Sequence, residues 1–350
     1  MNLSPEIKAQ LAEQKKSCIY CQIVSKEKEG KTVFEDDITL AILDVYPIIK
    51  GHTVFTLKEH YPITPYIPPE DFKHFFAIMP QLLGAVKKGM VRTGVNMFIA
   101  AGNAAGQYFP HFLVHIFPRE NGDKFFNYLF EMKHSLDEEK LKTLQHNFPI
   151  MMANHFKRNP MSWHTGIGVV PEFLKPIAEN NQLIYEDEQV LCVLPEKGAV
   201  AGHIEIYSKV EEKYVEKLSA EESFHLFSTA SLAATLVFEG LGAHGTNIIL
   251  KSGESDDNQD GKLVIHILPR TAEDEMNSKL LWQPKQPDYD LNSIQSKIKD
   301  QTWKIKYQEE NVEQKEEVVV QPAVVKTDSS EKQPVNSDDE IKKAIERMKH

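Results

Sequence analysis

Apolar and polar positions along this chain follow one scheme, and the scheme is used twice. Residues 40–43 and 53–57 are short apolar runs separated by a turn containing proline and glycine, the pattern of two paired strands. Residues 72–91 then place apolar side chains at helical spacing behind an acidic first turn, Pro69-Glu70-Asp71. Two more apolar runs, 97–101 and 112–117, read as closing strands. The second copy has strands over 190–194 and 204–207 and a helix over 223–241 behind Ala220-Glu221-Glu222. Its closing strands are 248–251 and 263–268. Helical spacing returns at 137–146 and 291–299 to finish each copy, and 147–162 reads as a linker. Each copy is therefore expected to be an α+β unit, a small antiparallel sheet with one long helix on a face.

Sliding the chain by 151 positions aligns the copies without a gap. Glu35-Asp36 falls on Glu186-Asp187, Leu43 on Leu194, and Gly51-His52 on Gly202-His203. Lys58 meets Lys209, His74 meets His225, and Gly94 and Asn96 meet Gly245 and Asn247. Gly102 meets Gly253, and His115 with Pro118-Arg119 meets His266 with Pro269-Arg270. Chance does not hold one register this long, so the chain is a tandem duplication.

The expected organisation is an N-terminal extension (1–16), repeat 1 (17–146), the linker (147–162), repeat 2 (163–305) and a tail (306–350). The tail is nearly free of aromatics and reads as disordered. Its last residues, 337–350, suit a short helix capped by Ser337. It is either a docking peptide for a protein partner or a solvated tail.

The net charge of −11 disfavours nonspecific nucleic-acid binding. Three cysteines make no disulfide framework. The polar N-terminus carries no apolar signal core, and no apolar run approaches the roughly 18 residues needed to span a bilayer. The expectation is a cytoplasmic protein without membrane contact.

Candidate chemistry gathers on the last strand of each copy. The first reads His111-Phe112-Leu113-Val114-His115-Ile116-Phe117-Pro118-Arg119, the second Lys262-Leu263-Val264-Ile265-His266-Ile267-Leu268-Pro269-Arg270. Both resemble the signature strand of the histidine-triad (HIT) nucleotide-binding superfamily, His-φ-His-φ-His-φ-φ, usually followed by Pro-Arg. In that family the middle histidine is the nucleophile that attacks phosphorus. Here the position holds Leu113 and Val264, which have no lone pair to donate. His115 lies two residues on, roughly 6–7 Å along the strand, too far for the same attack.

Cys18 and Cys21 form a Cys-x-x-Cys pair, which alone leaves redox and metal roles open. With His60 and His111 they make a closed tetrahedral donor set of two thiolates and two imidazoles. Their spacing resembles the zinc-containing branch of the HIT family, which implies one structural Zn(2+) per chain. The aligned positions in repeat 2 are Val169, Glu172, Glu211 and Lys262, so no such site is expected there.

The resemblance also implies a nucleotide pocket in repeat 1. Asp44, in Leu43-Asp44-Val45-Tyr46-Pro47, would hold the ribose. His52, Asn103, Gln107 and His115 would line the phosphate side. In repeat 2 Asp44 becomes Pro195, Asn103 becomes Glu254, and residues 254–260 put carboxylates where a phosphate would sit. His203 and His266 are expected there as core histidines or ligands.

The family commonly works as a twofold dimer whose sheets join, and its galactose-1-phosphate uridylyltransferase relatives carry the pair in one chain. The same intrachain pseudo-dimer of two HIT-like repeats is expected here. The first functional reading is a pseudoenzyme that binds a nucleoside phosphate, AMP-like, in repeat 1. The rivals are a divergent HIT hydrolase or nucleotidyl transferase acting on dinucleoside polyphosphates or phosphoramidates, and a scaffold that works through its tail.

Overall fold

The computed structural model describes residues 5–307; most of the tail, with the helix expected at 337–350, lies outside them. The first half opens with α1 (Pro5–Ser17), α2 (Ile19–Val24), β1 (Thr32–Glu35), β2 (Thr39–Leu43) and β3 (Thr53–Leu57). It continues with α3 (Pro69–Gly89), β4 (Gly94–Ala101), β5 (Leu113–Arg119) and α4 (Glu138–Arg158). The second half contains α5 (Lys175–Asn180), β6 (Gln182–Glu186), β7 (Val190–Leu194), β8 (Ile204–Ser208) and α6 (Ala220–Leu241). It ends with β9 (Gly245–Gly253), β10 (Val264–Arg270), α7 (Asn277–Leu280) and α8 (Leu291–Thr302).

The ten strands of the described residues join one antiparallel sheet in the order β1-β2-β3-β5-β4-β9-β10-β8-β7-β6. The two halves are arranged alike about the β4–β9 seam, which runs from Gly94 opposite Gly253 to Ala101 opposite Thr246. Glycine is needed where the seam begins. A Cβ on Gly94 would lie 2.7 Å from the Glu254 carbonyl oxygen, and Gly253, at φ +74°, would put one 2.4 Å from the Thr93 oxygen.

The long helices lie together on one face of the sheet and bury the main core. α6 starts on a capping box, with the Ser219 hydroxyl accepting from the Glu222 amide and the Glu222 carboxylate accepting from the Ser219 amide. Contrary to the expectation of no such run, α6 is long and apolar enough to cross a membrane by length and composition. It instead buries Phe224, Leu226, Phe227, Ala230, Ala233, Leu236 and Val237, against the sheet and its neighbouring helices.

Two expectations are corrected. The linker at 147–162 is helix as far as Arg158, because α4 runs unbroken from its Asp137 cap through Pro149. Leu144, Phe148, Met152 and Phe156 recur every fourth residue on its buried face, and that burial outweighs the one hydrogen bond the proline removes. The terminal helices also do not finish their own copies. α4, from the first half, packs on α6 and β6 of the second; Phe148 meets Tyr185 at 5.4 Å between ring centroids. α8, from the second half, packs on α3 and β1 of the first. Gln295 Nε2 donates to the Thr32 carbonyl at 2.9 Å and Thr302 Oγ1 to the Val33 carbonyl at 2.8 Å. Gly89 lets it close in, since a Cβ there would stand 2.9 Å from the Ile298 Cα. The halves exchange their last helices.

Candidate functional site

α2 turns Cys18 and Cys21 toward the end of β3 and the start of β5, where His60 and His111 wait. Cys18 Sγ lies 3.3 Å from His111 Nδ1, and Cys21 Sγ lies 3.3 Å from His60 Nδ1 and 3.6 Å from His111 Nδ1. All four side chains are buried. The His111 Nε2–H is placed to donate to the Leu57 carbonyl at 3.0 Å, which leaves the Nδ1 lone pair for the sulphurs. Burial, and then the neighbouring Cys18, push the Cys21 thiol up to about 12, while burial holds His111 down at about 4. Without a cation Cys21 thus stays a thiol and His111 a neutral imidazole. A dication would favour the thiolates, and the donor set fits one.

On β5, Leu113, His115 and Phe117 alternate onto one face. His115 Nδ1 faces His52 Nε2 at 3.0 Å, and His52 Nδ1 stands 3.6 Å from Asp44 Oδ2. Burial keeps both imidazoles well below their usual pKa, so one neutral ring donates to the other. Leu113 packs instead beside Cys18, Leu40, Ile42 and Val54.

Asn103 and Gln107 do not join this group. Gln107 spends its amide elsewhere, donating to the Pro62 carbonyl of the segment after β3 at 2.7 Å and accepting from the Gly102 amide of its own loop at 2.9 Å. With Asn103 it lines a separate cavity of about 220 Å³ beneath α1.

What the motifs did not reveal is what covers the histidine pair. Trp282, just after α7 of the second half, stands edge-on to His52 (5.3 Å), His115 (5.0 Å) and Phe117 (5.4 Å). Reciprocally, Phe130 of the first half stands edge-on to His203 (5.7 Å) and His266 (5.1 Å). The register carried a signal, for Phe130 aligns with Leu281, the neighbour of Trp282.

In the second half His203 Nε2 meets His266 Nδ1 at 3.0 Å, and Glu205 replaces the aligned Val54 with Oε1 3.6 Å from His266 Nδ1. Val264 is packed among Leu174, Leu191, Val193 and Tyr207. The carboxylates of 254–260 do not stand as a free acidic loop. Asp257 accepts from Arg119 Nη1 at 2.7 Å and Asn96 Nδ2 at 2.9 Å, while Asp256 accepts from the Gly122 and Lys124 amides at 2.8 and 2.9 Å. They clamp the first half because Arg119, buried at the end of β5, needs a counter-charge.

Residues 25–122 match the HIT domain family. An uncharacterized HIT-like protein of Borreliella burgdorferi is 33% identical over 129 residues, 36% of this chain and 92% of its own length. The adenylylsulfatase HINT3 of Arabidopsis thaliana is 32% identical over 123 residues, and the chain spans 62% of its length. Among solved structures, a zinc-bound histidine triad family protein from Mycobacterium smegmatis is 36% identical over 31% of this chain and 80% of that one, at TM-score 0.29. A GalT-like protein from Arabidopsis thaliana covers 81% of this chain and 91% of its own at 13% identity and TM-score 0.50, a likeness of fold. With its signature strand at 111–119 and a relative matched over nearly its whole length, the chain belongs to the HIT family.

Proposed function

We propose that the protein binds a nucleoside phosphate in its first half and has lost the covalent chemistry of its family. The observation that carries this reading is the strand 111–115. It keeps His115 in a chain with His52 and Asp44, and holds Leu113 where the attacking histidine would be. Asp44 suits ribose hydroxyls and His115 a phosphate oxygen. Asn103 and Gln107 would have to turn from their present partners to take part. Trp282 would have to yield, or its ring would stack on the base. The sheet seam and the exchanged helices support an intrachain pseudo-dimer of two HIT-like repeats. The Cys18, Cys21, His60 and His111 set supports one structural zinc in the first repeat.

A second reading, hydrolysis or nucleotidyl transfer, is favoured by the same His52–His115 pair, which could relay a proton. The adenylylsulfatase name of a relative points the same way. Calorimetric titration of AMP and of a dinucleoside tetraphosphate into wild type and Leu113→His, with product followed by chromatography, separates them. Binding by wild type without product, and product from Leu113→His, is expected. Turnover by wild type that is lost in His115→Ala would favour the hydrolase. No binding by either protein would sink both readings and leave a scaffold acting through its tail.

A further inference from the structure

The second half lacks the cysteine site but assembles another group of ligands where its leading segment meets β6 and α6. His225, on α6, has Nε2 2.7 Å from Asp187 Oδ2. His164, in the segment ahead of α5, has Nδ1 3.9 Å from the same oxygen and 2.9 Å from Glu188 Oε1. The three donor atoms of His164, Asp187 and His225 lie within 4.8 Å of one another. Zinc bonds of about 2.0–2.1 Å in a tetrahedron separate ligand atoms by about 3.3 Å, between the two distances to the shared oxygen.

We propose that His164, Asp187 and His225 bind a divalent transition ion, with zinc the best match to two imidazoles and a carboxylate, and with Glu188 Oε1 beside them as a fourth donor. Three observations beyond proximity support it. His164 Nδ1 is buried and makes no hydrogen bond, although Glu188 Oε1 lies only 2.9 Å away. Among the described residues, no lysine or arginine pairs with Asp187 or Glu188, and the ion-pair distances they make are to these histidines. Both carboxylates are also oriented by protein donors, Asp187 by the Tyr185 hydroxyl and the Gln189 and Val190 amides, and Glu188 by the Thr165 and Gly166 amides, as the outer partners of a metal ligand would do. The aligned pair in the first half, His74 and Asp36 at 2.8 Å, shows what a merely structural pair looks like: a tyrosine ring, Tyr307, lies against His74 and no third ligand joins.

The site is also walled. Phe156, from the exchanged α4, stacks on His225 at 5.2 Å and against His164 at 3.7 Å, and Trp163 stands edge-on to His225 at 4.9 Å. Each half would then use a different set of ligands for one purpose, to fasten the segment that leads into its sheet.

The test is cobalt substitution of the full chain, with bound metal counted after dialysis. Cys18→Ser/Cys21→Ser is expected to lose any thiolate-to-cobalt charge-transfer band yet keep a single equivalent with visible d–d absorption, and His164→Ala added to it is expected to remove that equivalent. If the cysteine variant does not fold, wild type and His164→Ala are compared, and loss of one equivalent with the thiolate band unchanged is expected. A folded cysteine variant that retains no metal, or an unchanged metal count in His164→Ala, would overturn the proposal. Neither outcome depends on the cysteine site binding zinc.

Discussion

At the residue scale, single charges deep in the sheet decide more than the surface pairs do. Arg119 is fully buried and held by Asp123, Asp257 and the Phe125 carbonyl at 2.7 Å each at closest. Removing it leaves two buried carboxylates short of a partner, so Arg119→Met should cost about 3–5 kcal/mol in urea unfolding. Asp257→Asn should cost less, about 1.5–3 kcal/mol, because Asp123 still pairs with the guanidinium. Equal costs would contradict this division. Asp36 offers a pH test. Burial opposes its ionisation, but hydrogen bonds from His74, Thr39 and Ile38 outweigh burial and hold its pKa below the usual value. Its contribution is therefore complete above the unfolded carboxylate pKa of about 3.9 and is lost as pH falls through the lower folded value. Asp36→Asn should flatten the acid limb of the stability curve below about pH 4; an unaltered limb would show that the carboxylate carries nothing there.

At the scale of elements, the strands and long helices were legible because each buries one face at a fixed period. α4 was only half legible. Its polar first turns look like a chain end and Pro149 like a break, and the stripe Leu144, Phe148, Met152, Phe156 acquires meaning only against α6. Phe148 is fully buried there, so Phe148→Ala should cost about 3–5 kcal/mol in thermal or urea unfolding. A loss under 1 kcal/mol would mean that α4 is an ornament on the surface. The donors Cys18, Cys21, His60 and His111 were legible by type and spacing. His164 was not, since its aligned position in the first copy holds no histidine and its partners lie on other elements. Gln107 was read by motif alone, and the motif does not say that the Pro62 carbonyl and the Gly102 amide take its side chain.

At the scale of the molecule, the shared register led to the expectation of two like units with joined sheets, but not of which helices they would exchange. Periodicity fixes a face and leaves its partner open. Both α4 and α8 found partners in the other half, and Trp282 and Phe130 crossed likewise. A chain ended after residue 160 would leave the β4 edge unpaired, α4 without α6, and α3 without α8. It should self-associate through that edge, which sedimentation can measure; a stable monomer would show that the first half is sufficient alone.

The exchange of helices also has a consequence in time. A chain emerging from the ribosome presents the first half while the helix that covers β1 and Gly89 is still unmade, for α8 begins only at Leu291. The early half must wait with an apolar flank open while the strands and long helix of the second half are made. It is the last described helix, not the first folded sheet, that finishes it.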